Sequence, residues 1–443
     1  MSQSLSPVRS AACSTRRAGM RRFAAAAVVV SGLLAASPAA AAEPGHYTVH
    51  ARIEPASGAM QVTLDMRLPP QGGTRELAFL LHRDLTVESV QGDALETFST
   101  AHYEWPGAPH LQHIQQVSLG LRESAADEPI VLRWRYGGEL RDDHLEMGQA
   151  AMTAHWMELP AEALWVPMNP DPANGQYTWN ATVELPDGYT LVTAGHESRD
   201  GERWELASTE PSLDLPLIAS DRMQQRTATV EGGVTVTVHH AGSDPSLVDY
   251  VARHATDIVE RYSERFGTGL HAPELDIALS PLPRETAHSY ARPGLIGLSN
   301  GIEEGPRLLQ LVAHEAAHLW WMKSSDAWSR HNFLNESFAE FFAWGELARV
   351  YGQEHYDERV AKARESARDA PGFDEWTQQT NGVLSYVKGP LLLHDLHARI
   401  GADTFDRFAR ALQARRVGTL EGMLDTLEEV AGADAAAWMR DAL

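Results

Sequence analysis

A five-residue stretch, His314-Glu315-Ala316-Ala317-His318, carries side chains that can bind a metal ion and move a proton. Its apolar periodicity predicts a helix, in which positions i and i+4 lie on one face. His314 and His318 could therefore converge on one zinc ion, with Glu315 pointing toward the open coordination position. Zinc lowers the pKa of a bound water toward about 7, and a nearby carboxylate can take the proton as the water attacks a carbonyl. Histidine and glutamate also occur on exposed helix faces without any metal, so the pentapeptide alone leaves both interpretations open.

Two later residues could complete such a site. Glu336 opens the next predicted helix, where a carboxylate can face the preceding helix and make a His₂Glu site with one position left for water. The alternative is that Glu336 only complements the positive end of its helix. Tyr386, just ahead of another apolar helix, could donate a hydrogen bond to a developing oxyanion, although a tyrosine in such a position is more often a core residue.

The elements that must position these residues differ between the two halves of the chain. Residues 46 to about 224 contain short runs of alternating apolar and polar residues separated by turns, a pattern typical of a β sandwich or saddle. After about residue 240 the periodicity becomes helical, beginning with a helix that Asp244 caps and Gly267 ends. The sequence therefore predicts an α+β protein, in which an all-β domain precedes a mainly helical one. Further helices are predicted at 307–323, 335–350, 382–400, 403–415 and 419–431.

Composition narrows the functional classes. The 443 residues are 43% hydrophobic, which is enough for two or three domains with a sizeable core. The formal net charge of −23, without any cluster of Lys and Arg, argues against a nucleic-acid partner. Cys13 is the only cysteine, so disulfides, cysteine zinc sites and a cysteine nucleophile are excluded.

Residues 1–42 are typical of a secretory signal. A basic segment precedes a short apolar run, 23–36, and a tail of small residues offers cleavage sites before Glu43. An uncleaved membrane anchor is the alternative, but the run is shorter than the roughly 20 apolar residues that a span needs. Met20 could also be the true start. We expect a periplasmic or secreted protein without stable membrane insertion after signal removal; the sequence does not predict the oligomeric state.

The order of three motifs, H-E-x-x-H, N-E-x-F-A-E and Y-x-K-G, resembles the gluzincin zinc metallopeptidases, the family of alanyl aminopeptidases and leukotriene hydrolase. The resemblance implies hydrolysis of peptide substrates with one Zn²⁺ per chain. The resemblance also implies a role for each site residue: zinc ligands His314, His318 and Glu336, general base Glu315, and oxyanion stabiliser Tyr386.

The resemblance covers most of the mature chain. It implies an N-terminal β domain at 43–224 and a thermolysin-like catalytic domain at 225–443, after the signal at 1–42. The sequence ends where the large C-terminal helical domain of the family would begin. We therefore expect a short form with a more open cleft.

Two departures from the family concern the ligands. The segment between His318 and Glu336 is one residue shorter than usual, which a loop deletion near 325–327 would explain. His331 stands where the family has an acid before its N-E motif. The group that orients the zinc ligands is therefore left open.

A further departure concerns the substrate amine. The family loop whose glutamate holds the α-amine aligns with residues 288–292, where Ala291 replaces the carboxylate and Arg292 lies beside it. A cation there would repel an ammonium group. Either another acid binds the amine or the enzyme does not require a free N-terminus. A non-catalytic binding module on the same fold is the alternative from another class. The candidate acids are Glu158, Glu285 and Glu303.

Overall fold

The computed structural model describes residues 44–104, 112–122, 128–145, 150–170, 175–229, 234–267, 274–283, 289–322 and 329–443. The predicted signal, Glu285 and the loop near 325–327 lie outside these ranges. Within them, nineteen strands and nine α-helices follow the predicted order, with β structure first and helices dominating the C-terminal part. The α+β prediction is therefore confirmed.

The N-terminal region consists of strands that form three sheets. The strands are β1 Gly45–Glu54, β2 Ala59–Leu68, β3 Glu76–His82, β4 Leu85–Gln91, β5 Leu95–His102, β6 Ile114–Leu121, β7 Ile130–Glu139, β8 Ala151–Met152, β9 Met157–Leu159, β10 Tyr177–Glu184, β11 Thr190–Thr193, β12 His196–Asp200, β13 Arg203–Ser212 and β14 Leu217–Ser220. Among the described residues, the strand orders of the three sheets are β12-β13-β10-β1-β2-β7-β4, β11-β14-β9-β8 and β3-β6-β5.

The hairpin that β1 and β2 form lies at the centre of the largest sheet. Alternate side chains of β1 and β2 are buried, and Val49 pairs with Leu64 at a fully buried position. Gly58 turns the chain at a φ of +73°, where a side chain would also clash with the Leu140 carbonyl. On its other edge β1 pairs in parallel with β10. Period-two burial thus fixes the register of these strands.

A separate, five-stranded sheet begins the C-terminal region. It contains β15 Gln224–Thr229, β16 Thr235–His240, β17 Glu274–Pro283, β18 Tyr290–Arg292 and β19 Leu295–Asn300 in the order β15-β16-β17-β19-β18. Helix α1, Pro245–Phe266, connects the parallel strands β16 and β17. As predicted, the Asp244 carboxylate accepts the Ser246 backbone N–H at 2.8 Å and Gly267 ends the helix.

The remaining helices are α2 Pro306–Ala317, α3 Glu336–Tyr351, α4 Gln353–Ser366, α5 Gln378–Val383, α6 Gly389–Ile400, α7 Ala402–Ala414, α8 Leu420–Ala431 and α9 Ala433–Ala442. They depart from the prediction in several places, and α9 was not predicted at all. Helix α2 ends at Ala317 rather than at 323, and a π-helical turn, Leu384–Lys388, interrupts the predicted helix 382–400. The polar helix α4 was not predicted, because only Val360 and Ala363 are buried and its apolar periodicity is weak.

An aromatic core holds α3 against the chain that follows α2. The Trp321 ring stacks on Phe338 with centroids 4.3 Å apart, and it also stacks on Phe342 with centroids 5.2 Å apart. All three side chains are almost completely buried. Burying a large side chain contributes roughly 1.5–3 kcal/mol, so this packing fixes the two elements relative to each other. In the described part of the chain, no helix has the length and apolarity needed to span a bilayer.

Candidate metal centre

The three predicted ligands lie together at the junction of α2 and α3. His314 belongs to the last turn of α2, His318 follows its end, and Glu336 is the first residue of α3. Oε2 of Glu336 lies 3.1 Å from Nε2 of His314 and 3.5 Å from Nε2 of His318. Among the described residues, this is the one cluster of histidine and acidic side chains whose donor atoms could share a metal ion. Two imidazole nitrogens and a carboxylate oxygen are the ligands of many catalytic zinc sites.

The end of α2 orients His318. The last turn tightens into bonds over three residues, in which the His318 backbone N–H donates to the Glu315 carbonyl at 3.2 Å. This turn brings the Trp321 carbonyl to His318, whose Nδ1–H donates to it at 2.9 Å. A neutral imidazole that donates from Nδ1 carries its lone pair on Nε2. In the neutral form of His318, that lone pair would be available to a metal ion on the side that faces Glu336.

Glu340 orients His314 in the same way. The Nδ1–H of His314 donates to Oε2 of Glu340 at 3.1 Å, so Nε2 is the nitrogen of the neutral ring that could bind a metal ion. Glu340 is 5% exposed and is held in place from its other side, because Oε1 accepts three further hydrogen bonds. The donors are Gln310 Nε2 at 2.6 Å, Trp344 Nε1 at 2.8 Å and Arg359 Nη2 at 2.8 Å.

This role of Glu340 was not predicted from the sequence. The spacing in the sequence could have indicated it, because Glu340 lies one helical turn after Glu336 and therefore on the same face of α3. His331 has a different role, since its Nδ1 accepts the backbone N–H of Leu420 at the start of α8. The two candidate histidine ligands are therefore oriented by Glu340 and the Trp321 carbonyl, and not by the residue at position 331.

The charges in the cluster are strongly coupled. Burial opposes ionisation of Glu336, but the neighbouring His318 and His314 hold the pKa of its carboxyl well below the usual value. Burial would lower the pKa of His314, but its bonds to Glu336 and Glu340 raise it well above the usual value. Burial raises the pKa of Glu315, against the opposing effect of both histidines. A raised pKa makes Glu315 a better proton acceptor near neutral pH.

Tyr386 lies at the open side of the cluster. Its ring centroid is 5.6 Å from that of His314, and 39% of its side chain is exposed. Partial burial and the neighbouring Glu336 carboxylate raise the pKa of the phenol well above its usual value. Tyr386 therefore remains a hydrogen-bond donor at neutral pH.

Arg292 differs from its expected role as a free cation. Its Nε–H donates to both carboxylate oxygens of Asp214, at 2.8 and 2.9 Å, and its Nη1–H donates to the Ala291 carbonyl at 2.9 Å. Nη2 also lies 4.0 Å from Glu162. Two carboxylates thus balance the charge of Arg292. Arg292 is therefore not expected to repel a substrate ammonium group.

Of the candidate amine-binding acids, Glu158 contacts the strand in question. It is 2% exposed, and its two oxygens accept hydrogen bonds from Trp156 Nε1 at 2.9 Å and from the Tyr290 hydroxyl at 3.2 Å. Tyr290 begins β18 and directly precedes Ala291, which is 5% exposed. Glu303 lies exposed in the segment before α2, and Glu285 lies outside the described residues.

Comparison with protein-family models and with curated proteins found no match to this sequence. The architecture, however, is similar to solved structures. An M1 zinc metallopeptidase from Deinococcus radiodurans is 18% identical with a TM-score of 0.66, over 90% of this chain and 94% of that chain. A mutant from that organism bound to a Tyr-Ser-Ala substrate gives the same values. A two-domain M1 zinc metallopeptidase mutant bound to L-tryptophan is 18% identical with a TM-score of 0.65, again over 90% and 94%. At this identity, the likeness establishes the two-part fold.

Proposed function

We propose that this protein is a zinc-dependent peptidase of the aminopeptidase type. The observation that carries the proposal is the convergence of His314, His318 and Glu336, with both imidazoles held so that Nε2 faces the carboxylate. The fold shared with M1 zinc metallopeptidases supports it.

The donor set fits zinc. Both ligand histidines donate their other ring N–H to a fixed acceptor, as metal-bound histidines usually do, and Glu336 is ionised. His314, His318 and Glu336 would hold the ion. When bound, zinc would polarise a carbonyl and lower the pKa of a water toward about 7.

The remaining site residues would move the proton and stabilise charge. Glu315, buried beside the ligands, accepts a proton from the attacking water and returns it to the departing amine. Tyr386 donates a hydrogen bond from its phenol to the oxygen that becomes negative during attack. Both residues lie in the same cluster as the ligands, as peptide hydrolysis requires.

The substrate class is inferred from the ligands of the solved structures and from the buried acid Glu158. Two of those structures hold a tripeptide substrate or a single amino acid, which favours removal of residues from peptide N-termini. Glu158 is the acid that we propose for binding the substrate amine, because it contacts β18 through Tyr290. The second candidate is a peptidase that does not require a free N-terminus, which the absence of a carboxylate at Ala291 favours.

Glu315→Gln tests the catalytic assignment. The variant should keep one zinc per chain and lose about 10²–10⁴-fold in kcat, because the water loses its base. Metal content and turnover are measured on the same preparation. Full wild-type activity after exhaustive chelation would refute the metallopeptidase. A wild type that binds no stoichiometric zinc would favour the non-catalytic binding module.

Matched peptides with free and acetylated N-termini test the substrate class. Wild type should prefer the free amine, and Glu158→Gln should lower kcat/KM for free peptides alone. A charge-assisted hydrogen bond contributes roughly 1.5–3 kcal/mol, so we expect a loss of about ten- to a hundredfold. Equal cleavage of both peptides by wild type would establish the second candidate. An equal loss on both peptides in the variant would show that Glu158 has a structural role only.

We also propose that the protein is exported and loses residues 1–42. The basic segment, the apolar run and the small-residue tail support this proposal. N-terminal sequencing of the protein from its native host should then begin near Glu43. An N-terminus at Met1 or Met20 would refute the cleavage.

A further inference from the structure

A buried hydroxyl connects the two elements that carry Glu336 and Tyr386. Oγ of Ser337 donates to the carbonyl of Ser385 at 2.9 Å, and both residues are fully buried. Ser337 directly follows Glu336 in α3, and Ser385 directly precedes Tyr386 in the π-helical turn. One hydrogen bond thus joins the sequence neighbours of both site residues.

The Ser385 carbonyl depends on this donor because of the proline that follows the turn. In the π-helical turn, the Gly389 N–H donates to the carbonyl of Leu384, five residues earlier. In the same register, the carbonyl of Ser385 would accept from residue 390. That residue is Pro390, which has no N–H to donate. Water is excluded at this fully buried position, so the Ser337 hydroxyl supplies the donor.

Gly389 provides the space for this contact. A Cβ atom built at position 389 would lie 2.6 Å from the Cβ of Ser337 and 2.9 Å from the Leu384 carbonyl oxygen, and it would overlap Oγ of Ser337. These separations are shorter than van der Waals contact. Only glycine therefore lets the start of α6 approach α3 closely enough for the serine bond.

A second set of bonds ties the same turn to the chain before Glu336. The Ser385 hydroxyl donates to Oδ1 of Asn381 at 2.9 Å. Nδ2 of Asn332, in the 3₁₀ turn that precedes α3, lies 3.3 Å from that oxygen and 3.4 Å from the Ser385 hydroxyl. The Trp376 indole also donates to Asn381, at 3.1 Å. The turn is therefore held from both sides of Glu336.

We propose that Ser337 is a positioning residue for Tyr386: its hydroxyl fixes the π-helical turn on α3, so that the phenol stays beside the Glu336 carboxylate. The inference rests on the proposed function, in which the phenol stabilises the oxyanion. It explains why a helix interruption occurs at the residue that must reach into the site. A turn of ordinary α-helix would place Tyr386 at a different angle around the helix axis.

Ser337→Ala tests the proposal by kinetics. We expect kcat to fall about tenfold with little change in KM, because the phenol acts mainly in the transition state. In a Tyr386→Phe background the same substitution should cause no further loss, since the group that it positions is absent. Ser337→Cys keeps a weaker donor of similar size and should lie between alanine and wild type.

Ser220→Ala is the matched control. Ser220, at the end of β14, is also fully buried, and its hydroxyl donates to the His155 carbonyl at 2.7 Å. It should lower thermal stability about as much as Ser337→Ala does, but leave kcat unchanged. Equal kinetic effects of the two substitutions would refute a specific positioning role.

Hydrogen exchange tests the same inference without an activity assay. Peptides that cover residues 384–391 should exchange about tenfold faster in Ser337→Ala than in wild type, because the turn loses its tie to α3. In Ser220→Ala they should exchange at the wild-type rate. Unchanged exchange in Ser337→Ala would overturn the proposal. A double variant in which Ser337→Ala lowers kcat as much as it does with Tyr386 present would overturn it too. An inactive wild type whose exchange responds as expected would refute the peptidase function alone.

Discussion

Glu340→Gln is the most informative test of how the ligands are oriented. The carboxylate uses Oε2 to accept from His314 and Oε1 to accept from Gln310, Trp344 and Arg359. A glutamine side chain has the same shape but only one acceptor oxygen. That oxygen should turn toward the three donors, one of which is charged. The amide NH₂ would then face Nδ1 of His314.

This rearrangement predicts a specific loss. Without an acceptor at Nδ1, His314 gains by carrying its proton on Nε2, and a protonated Nε2 cannot bind a metal ion. Removing the partner of a metal-bound histidine typically weakens metal affinity by about 10–100-fold, or roughly 1.4–2.7 kcal/mol. We expect zinc affinity to fall within this range and activity to recover partly at saturating zinc.

Competition with a chromophoric zinc chelator measures the affinity, and thermal unfolding of the metal-free protein measures stability. Glu346→Gln is the matched control, because Glu346 is equally buried on α3 and is paired with Arg261 and Arg349 away from the ligands. Both substitutions should lower stability, and only Glu340→Gln should weaken zinc binding. Equal zinc affinity in the two variants would refute the reasoning.

The same contacts give three further predictions. His318→Ala should lose zinc, measured by metal analysis, with an unchanged circular dichroism spectrum, because the helices are held by their aromatic core. Gly389→Ala should lower stability by about 1–3 kcal/mol and also lower kcat, since its methyl group would displace Ser337; a stable, fully active variant would contradict this. Arg292→Met should cost about 3–5 kcal/mol in urea unfolding, because it leaves Asp214 buried and unpaired, and adding Asp214→Asn should recover part of the loss.

The grouping of the three candidate ligands could be predicted from the sequence because it depends on local spacing. His314 and His318 are one helical turn apart, and Glu336 begins the next helix. Because these three residues are close in sequence, their proximity could be predicted from helix geometry. The orientation of the ligands depends instead on contacts across the fold. Glu340 acquires its role from Arg359 on a helix whose apolar pattern was too weak to predict.

The effect of Arg292 on a substrate amine could not be predicted for the same physical reason, because it depends on a contact between residues distant in sequence. Its effect was predicted from the neighbouring Ala291, but its partner is Asp214, 78 residues earlier in the chain. The interruption before α6 illustrates the reverse case. Pro390 is visible in the sequence, but the donor that makes the resulting turn stable, Ser337, lies on another helix.

The position of β1 in the largest sheet has a consequence for the order of folding during synthesis. β1 can pair with β2 as soon as the hairpin has been made, but its other edge pairs with β10, where Thr178 contacts His46 across 132 residues of sequence. At about 5–20 residues per second, a ribosome needs roughly 7–26 s to make that length of chain. During this time the hairpin presents an unpaired edge to other nascent chains. Slow closure of the sheet therefore makes the yield of folded protein sensitive to translation rate and to chaperones that cover exposed strands.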